Sequence, residues 1–205
     1  MGQRGRKKGA IGEQSRTLLL NIAADEFAHQ GYFETKVSTI VSRAGLTQPA
    51  FYLYFQSKEA ILQELVELFR AKLVELTQKS RLEPGTDLQT IHQSITAGLT
   101  TVFRFLHDEP NLTRIGFVVA PEAEEIKKQL VALIKENLTS EQTDGFFHAH
   151  LDMDIVAESL VGIIERLTFT KLLNGLKDPE SLADEMVRLL LYGMLVDKES
   201  AAEKR

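Results

Sequence analysis

Two clusters of side chains in this sequence have types and spacings that could do chemistry. The first lies in residues 47–58, where Thr47, Gln48, Pro49, Ala50, Tyr52, Tyr54 and Lys58 bring an amide, hydroxyls, small apolar groups and a cation into one short stretch. Such a set suits hydrogen bonds to nucleic-acid base edges and phosphate oxygens. The second is His148, His150, Asp152 and Asp154, which alternate through FFHAHLDMD and combine imidazoles with carboxylates in a pattern that can ligate a divalent ion. On an extended segment those four would face one way. However, the Gly-containing SEQTDG stretch precedes them and a helix is expected to follow, where Asp152 or Asp154 suits the N-cap. Hydrolases that use an HxH pair carry it on a barrel strand, and nothing here is strand-rich. A metal-dependent enzyme is therefore the minor alternative, and no catalytic residue, metal or cofactor is expected.

The elements that must position the first cluster are legible in residues 35–59, TKVSTIVSRAGLTQPAFYLYFQSKE. Val37, Ile40, Val41 and Ala44 fall at helical spacing, and Gly45-Leu46-Thr47 interrupts them with a residue that tolerates positive φ and a good N-cap. From Thr47 a second, short helix is expected through Phe55, with Pro49 in its first turn, where backbone N–H groups lack intrahelical partners. A short helix with a small, polar and aromatic outer face, presented by a tight turn after another helix, has the form of a helix-turn-helix DNA reader. The alternative is an ordinary pair of core helices in which Phe51, Tyr52 and Phe55 are simply buried.

The residues also carry a family resemblance. Gly31-Tyr32 one helical turn beyond Phe27, then Ile40, Ala44-Gly45-Leu46-Thr47, Phe51-Tyr52, Tyr54-Phe55 and Ser57-Lys58-Glu59 resemble the N-terminal signature of the tetracycline-repressor (TetR) family of regulators, over residues 16–62. The resemblance implies an all-α fold: an N-terminal three-helix helix-turn-helix DNA-binding domain, residues 15–59, and a C-terminal helical ligand-binding and dimerisation domain, residues 60–205. With it, the side-chain chemistry assigns Gln48 to an adenine edge in the major groove and Pro49 and Ala50 to a thymine methyl. Thr47, Tyr52, Tyr54 and Lys58 are assigned to phosphates, which fix register without reading sequence. Lys36 stands where the family usually has a Thr that caps the second helix and touches a phosphate. Thr35 or Ser38 is then expected to cap, and Lys36 to serve the phosphate differently.

Charge fits a one-ended DNA binder. The net charge is −5, but residues 1–60 hold eight basic against five acidic side chains, +3, leaving −8 on residues 61–205. Residues 1–14, MGQRGRKKGAIGEQ, read as a basic flexible arm able to lie on a DNA backbone or in a minor groove, with Ser15 capping a first helix to Gln30. The chain has no cysteine, which leaves out disulfides and thiolate chemistry. No apolar run is long enough for a membrane span, and the basic N-terminus lacks the apolar segment of a secretion signal, so a cytoplasmic protein is expected.

Beyond residue 58 the pattern stays helical: residues 58–81 with Ile61, Leu62, Leu65, Leu68, Phe69, Leu73 and Leu76 as one stripe, then 88–107, 111–119, a helix opened by Pro121, 153–174 and 179–197. The last two are apolar around so much of their circumference that they need cover on more than one side. The resemblance supplies the second cover as a homodimer through these two helices. A dimer sets two readers roughly 34–36 Å apart and predicts a palindromic operator of double-stranded DNA. The family's logic adds a small apolar or amphipathic effector, unidentified by sequence, that enters the second domain and alters reader spacing. His92, Arg104, His107, Glu165 and Thr168 are the polar candidates for orienting it, and Phe117 and Phe169 are among the aromatics that could line an apolar site. Repression is expected over activation, because a compact dimer on an operator blocks polymerase without any further contact surface.

Overall fold

A computed structural model describes residues 4–82, 85 and 87–194, with residues 4–11, 88 and 89 described by their backbone alone. The described residues form helices and turns, with no strand. The helices are α1 (Arg4–Gln30), α2 (Val37–Arg43), α3 (Gln48–Phe51), α4 (Lys58–Lys79), α5 (Leu88–Asp108), α6 (Pro110–Arg114), α7 (Ala123–Thr143), α8 (Met153–Leu167) and α9 (Pro179–Tyr192). Two π-helical turns extend them, Ile115–Val119 after α6 and Thr168–Leu172 after α8. Their signature is an N–H donated five residues back, Ala120 to Ile115 and Leu173 to Thr168, each at 2.9 Å.

The chain divides into two compact units: Met1–Val74 with Glu109–Ala132, and Glu75–Asp108 with Leu133–Arg205. In the first, α1 packs on α2, α6 and the π turn that follows α6, and α2 packs on α3. Leu19, Ala23 and Phe27, four apart on α1, are wholly buried, as are Ile40, Phe51, Ile61 and Phe69. In the second, α5 and α9 lie side by side, and Leu182, Ala183, Met186 and Val187 give α9 its buried stripe. Asp178 caps α9, accepting from the Ser181 N–H at 2.8 Å just before Pro179.

Several boundaries differ from the sequence expectation. Helical backbone begins at Arg4, ahead of the Ser15 cap; Arg and Lys are good helix formers, and the interspersed glycines do not stop the helix. Met1–Gln3 and the side chains of the basic segment lie outside the described residues, as does the expected end of the last helix beyond Met194. The reader helix is one turn, Gln48–Phe51, rather than a helix through Phe55, because Tyr54 N–H turns to Phe51 O (2.9 Å) and tightens the chain into a turn. Helix α7 opens at Ala123, with Pro121 in the preceding turn. On α4, Leu68 is 48% exposed and Val66 takes the buried place expected of it. No helix among the described residues is long and apolar enough to cross a membrane.

Candidate nucleic-acid interface

The one-turn helix α3 is held at both ends by features written into its sequence. Gly45, at φ 64°, lets the chain leave α2, and Thr47 stands at the N-cap with its hydroxyl 3.4 Å from the Ala50 N–H. Phe51 and Phe55, four apart with ring centroids 5.9 Å from each other, are the inward anchors. Opposite them Thr47, Gln48 and Pro49 are exposed and Ala50 is half-buried. Tyr52 is 58% exposed and stands edge-on to Phe51 at 5.3 Å, so the alternative in which Tyr52 is buried among core helices does not hold. The tyrosine beside α1 is Tyr54, whose hydroxyl lies 3.9 Å from where a Gly12 Cβ would stand.

The frame behind this face is polar and specific. Arg43, at the end of α2, donates to Asp25 (2.7 Å) and Glu26 (2.6 Å) on α1. The Arg43 hydrogen bond is the main reason the Asp25 carboxyl lies below its usual range. Arg16 clasps Glu64 and places its guanidinium 4.8 Å from the Phe55 ring, tying α1 to α4 behind the reader. The turn between α1 and α2 is fastened by Lys58, whose ammonium donates to the carbonyls of Tyr32 (2.8 Å) and Thr35 (2.9 Å) and sits 4.3 Å over the Tyr32 ring. The Tyr32 hydroxyl in turn donates to Glu59 at 2.6 Å. That bond is the first cause of a Glu59 pKa of about 2, while burial first and Glu59 second push Tyr32 up to about 12.

Caps and exposures depart from the expectation in two places. Neither Thr35 nor Ser38 caps α2: the cap position is Lys36, which has no side-chain cap bond, and the Thr35 hydroxyl goes back to Gly31 O at 2.8 Å. Lys36 is exposed. Sequence reasoning passed over Leu53 and Phe33, each 80% exposed in this unit. The signal for Leu53 was available: with Phe51 and Phe55 pointing in, the residue midway between them points out.

The expected effector contacts fall in both units. Phe117 belongs to the first, buried and edge-on to Phe69 with centroids 5.1 Å apart. In the second, Arg104 and His107 are exposed surface groups, Arg104 paired with Glu180 (2.6 Å) and His107, in the last turn of α5, with Asp108 (3.0 Å). His92 approaches Tyr192 OH at 3.4 Å and lines, with Arg188, Leu189, Tyr192 and Gly193, an open pocket of about 600 Å³. Glu165 and Phe169 are half-buried, and Thr168 is wholly buried. The His148-to-Asp154 cluster does not converge. Its segment is a turn closed by Leu151 N–H to His148 O (3.1 Å) and not a strand, the two imidazoles stack at 5.3 Å, Asp152 caps α8 and Asp154 accepts from Lys135 at 2.7 Å. Among the described residues no group of His, Asp and Glu is arranged to hold a metal.

Known proteins resemble this arrangement. The profile for "Bacterial regulatory proteins, tetR family" matches residues 19–65. The HTH-type transcriptional regulator YdgC of Bacillus subtilis (strain 168) is 51% identical over 184 residues, 90% of this chain and 94% of that one. The fatty acid metabolism regulator protein of the same organism is 24% identical over 185 residues, 86% of this chain and 93% of that one. The crystal structure of the transcriptional regulator FadR from Bacillus subtilis in complex with stearoyl-CoA shares the fold, with a TM-score of 0.67 at 24% identity over 87% of this chain and 99% of that one. With half of its residues identical to a helix-turn-helix regulator across nearly its whole length, and with the family's profile lying on α1 through α4, this chain belongs to the TetR family of DNA-binding transcriptional regulators.

Proposed function

We propose that this regulator is a homodimeric repressor that binds a palindromic operator through residues 15–59 and is released when residues 60–205 take up a small apolar or amphipathic effector. The observation that carries the reading is the exposed outer face of α3, where an amide and a proline, with a tyrosine at the C-cap, face solvent from a one-turn helix. Gln48 is the reader of an adenine, and Pro49 and Ala50 meet a thymine methyl. Lys36, Thr47, Tyr52 and Tyr54 bind phosphates. Lys58, whose ammonium also donates to the Tyr32 and Thr35 carbonyls and so holds the α1–α2 turn, binds a phosphate as well.

Dimerisation is supported by the apolar side chains that α8 and α9 leave exposed: Ile155 at 65%, Leu189 at 45%, Leu190 at 42% and Tyr192 at 66%. The relatives concerned with fatty acid metabolism make a long-chain acyl-CoA the first effector to try. The test is selection of bound sequences from random DNA, then titration of the winner by fluorescence anisotropy and a screen for compounds that release it. A palindrome with half-sites one helical turn apart is expected. Gln48→Ala should relax the choice at one base pair per half-site and cost about 1–3 kcal/mol there. A protein that selects no sequence, or that binds as a monomer, refutes the reading.

A further inference from the structure

The second unit contains a polar group that its own fold leaves without a partner. Thr168 opens the π turn after α8, which packs against α5, and is wholly buried. Its hydroxyl has no hydrogen-bond partner. Other helical threonines of the same unit do not behave this way: Thr96, Thr100, Thr101, Thr143 and Thr170 each donate to the carbonyl four residues back, at 2.7–2.9 Å. For Thr168 that carbonyl belongs to Ile164, which accepts the Thr168 backbone N–H but not its hydroxyl. An unmade buried hydrogen bond is a standing cost that a native fold normally removes.

We infer that the Thr168 hydroxyl is the anchoring donor of the effector site, reached between α5 and the π turn, and that it takes a neutral hydrogen-bond acceptor on an apolar body. The inference rests on the effector reading above and adds the ligand's chemistry. The helix faces that carry it are apolar: Ile91, Phe103 and Leu106 are buried on α5, Ala157, Val161 and Ile164 on α8, and Leu172 on the π turn itself. Among the described residues of this unit no Lys, Arg or His is buried, and the charged residue that is buried, Glu141, is an anion. A free carboxylate would therefore lose its hydration with no buried cation to replace it, whereas an ester, thioester or ketone carbonyl needs one donor and finds one.

The experiment compares wild type with Thr168→Val, which keeps the shape and removes the hydroxyl, and with Thr168→Ser, which keeps the hydroxyl. The probes are methyl decanoate and decanoate, read by calorimetric titration, together with the melting temperature of each ligand-free protein. Ligand-free T168V should melt higher than wild type by about 2–4 °C, since it sheds an unpaired polar group. Wild type and T168S should bind the methyl ester more tightly than the acid, and T168V should lose at least about threefold in affinity for the ester. A T168V that melts below wild type means that the hydroxyl already has a partner, such as a trapped water, and overturns the inference. Equal ester affinity in wild type and T168V, tighter binding of the acid, or no binding of either probe overturns it too. The operator-release screen judges the effector reading separately, because it makes no assumption about Thr168.

Discussion

Gly116→Ala should destabilise this protein even though alanine is the better helix former. Gly116 lies buried in the π turn after α6, and a Cβ built on it would stand 2.0, 2.3 and 2.5 Å from Cδ1, Cε1 and Cγ of Phe69. Carbon atoms rest at about 3.5–4.0 Å, so backbone and ring must part by roughly 1.5 Å. Neither can move freely. Phe69 is wholly buried and stands edge-on to Phe117, itself 2% exposed, at 5.1 Å and 81°. Overpacking of this kind costs about 1–3 kcal/mol, while exchanging glycine for alanine in a helix returns at most about 1 kcal/mol. A net loss of about 1–2 kcal/mol lowers the melting temperature by about 2–8 °C in a chain of this length, and urea unfolding followed by circular dichroism gives the free energy directly. Phe69→Leu trims the obstructing ring, so the double variant should be less destabilised than the two single losses added together, by about 1 kcal/mol or more. If Gly116→Ala is as stable as wild type, or the two losses simply add, the close approach of this turn to Phe69 is not what holds the position as glycine.

Two further predictions concern carboxylates. Tyr32→Phe removes the hydrogen bond that holds Glu59 at about 2, and since Glu59 is exposed the loss near neutral pH should be only about 1 kcal/mol. Because the Glu59 pKa is depressed, that stability is complete above its ordinary 4.5 and disappears as pH falls toward 2; because Tyr32 is raised, its share is complete below 10 and disappears as pH rises toward 12. Urea midpoints of the two proteins should therefore differ most between those limits and converge outside them. Glu141 is 6% exposed and accepts from the Leu82 N–H at 2.9 Å, and burial raises its pKa. A raised carboxylate pKa means that stability declines as pH rises through the titration, so Glu141→Gln, which can still accept from Leu82, should be as stable as wild type in acid. At neutral pH it should be more stable by up to about 1 kcal/mol, and a destabilised E141Q at pH 7 would show that the charge itself is needed.

The helical plan was legible because it depends on local periodicity. Leu19, Ala23 and Phe27 announce the buried side of α1, Gly31 with φ 89° announces its end, and Gly45-Leu46-Thr47 announces the turn that presents α3. The same logic fails where two readings share one pattern. Leu68 and Val66 both fit a helical apolar face, and only the neighbours that α4 meets decide that Val66 is buried and Leu68 exposed. Lys58 reads as a phosphate contact and Arg104 as an effector contact, and only the fold shows that Lys58 also donates to the Tyr32 and Thr35 carbonyls and that Arg104 pairs with Glu180.

The sequence by itself determined that the chain is helical, that a short polar and aromatic helix follows a glycine turn, and that positive charge gathers at the N-terminal end, because these properties belong to residues and their nearest neighbours along the chain. The tertiary structure alone decided which side chains remain free to act. Whether an amide, hydroxyl or ammonium faces solvent, a carbonyl or nothing at all is fixed by groups far away in sequence, as the unpartnered Thr168 hydroxyl and the carbonyl-bound Lys58 ammonium both attest.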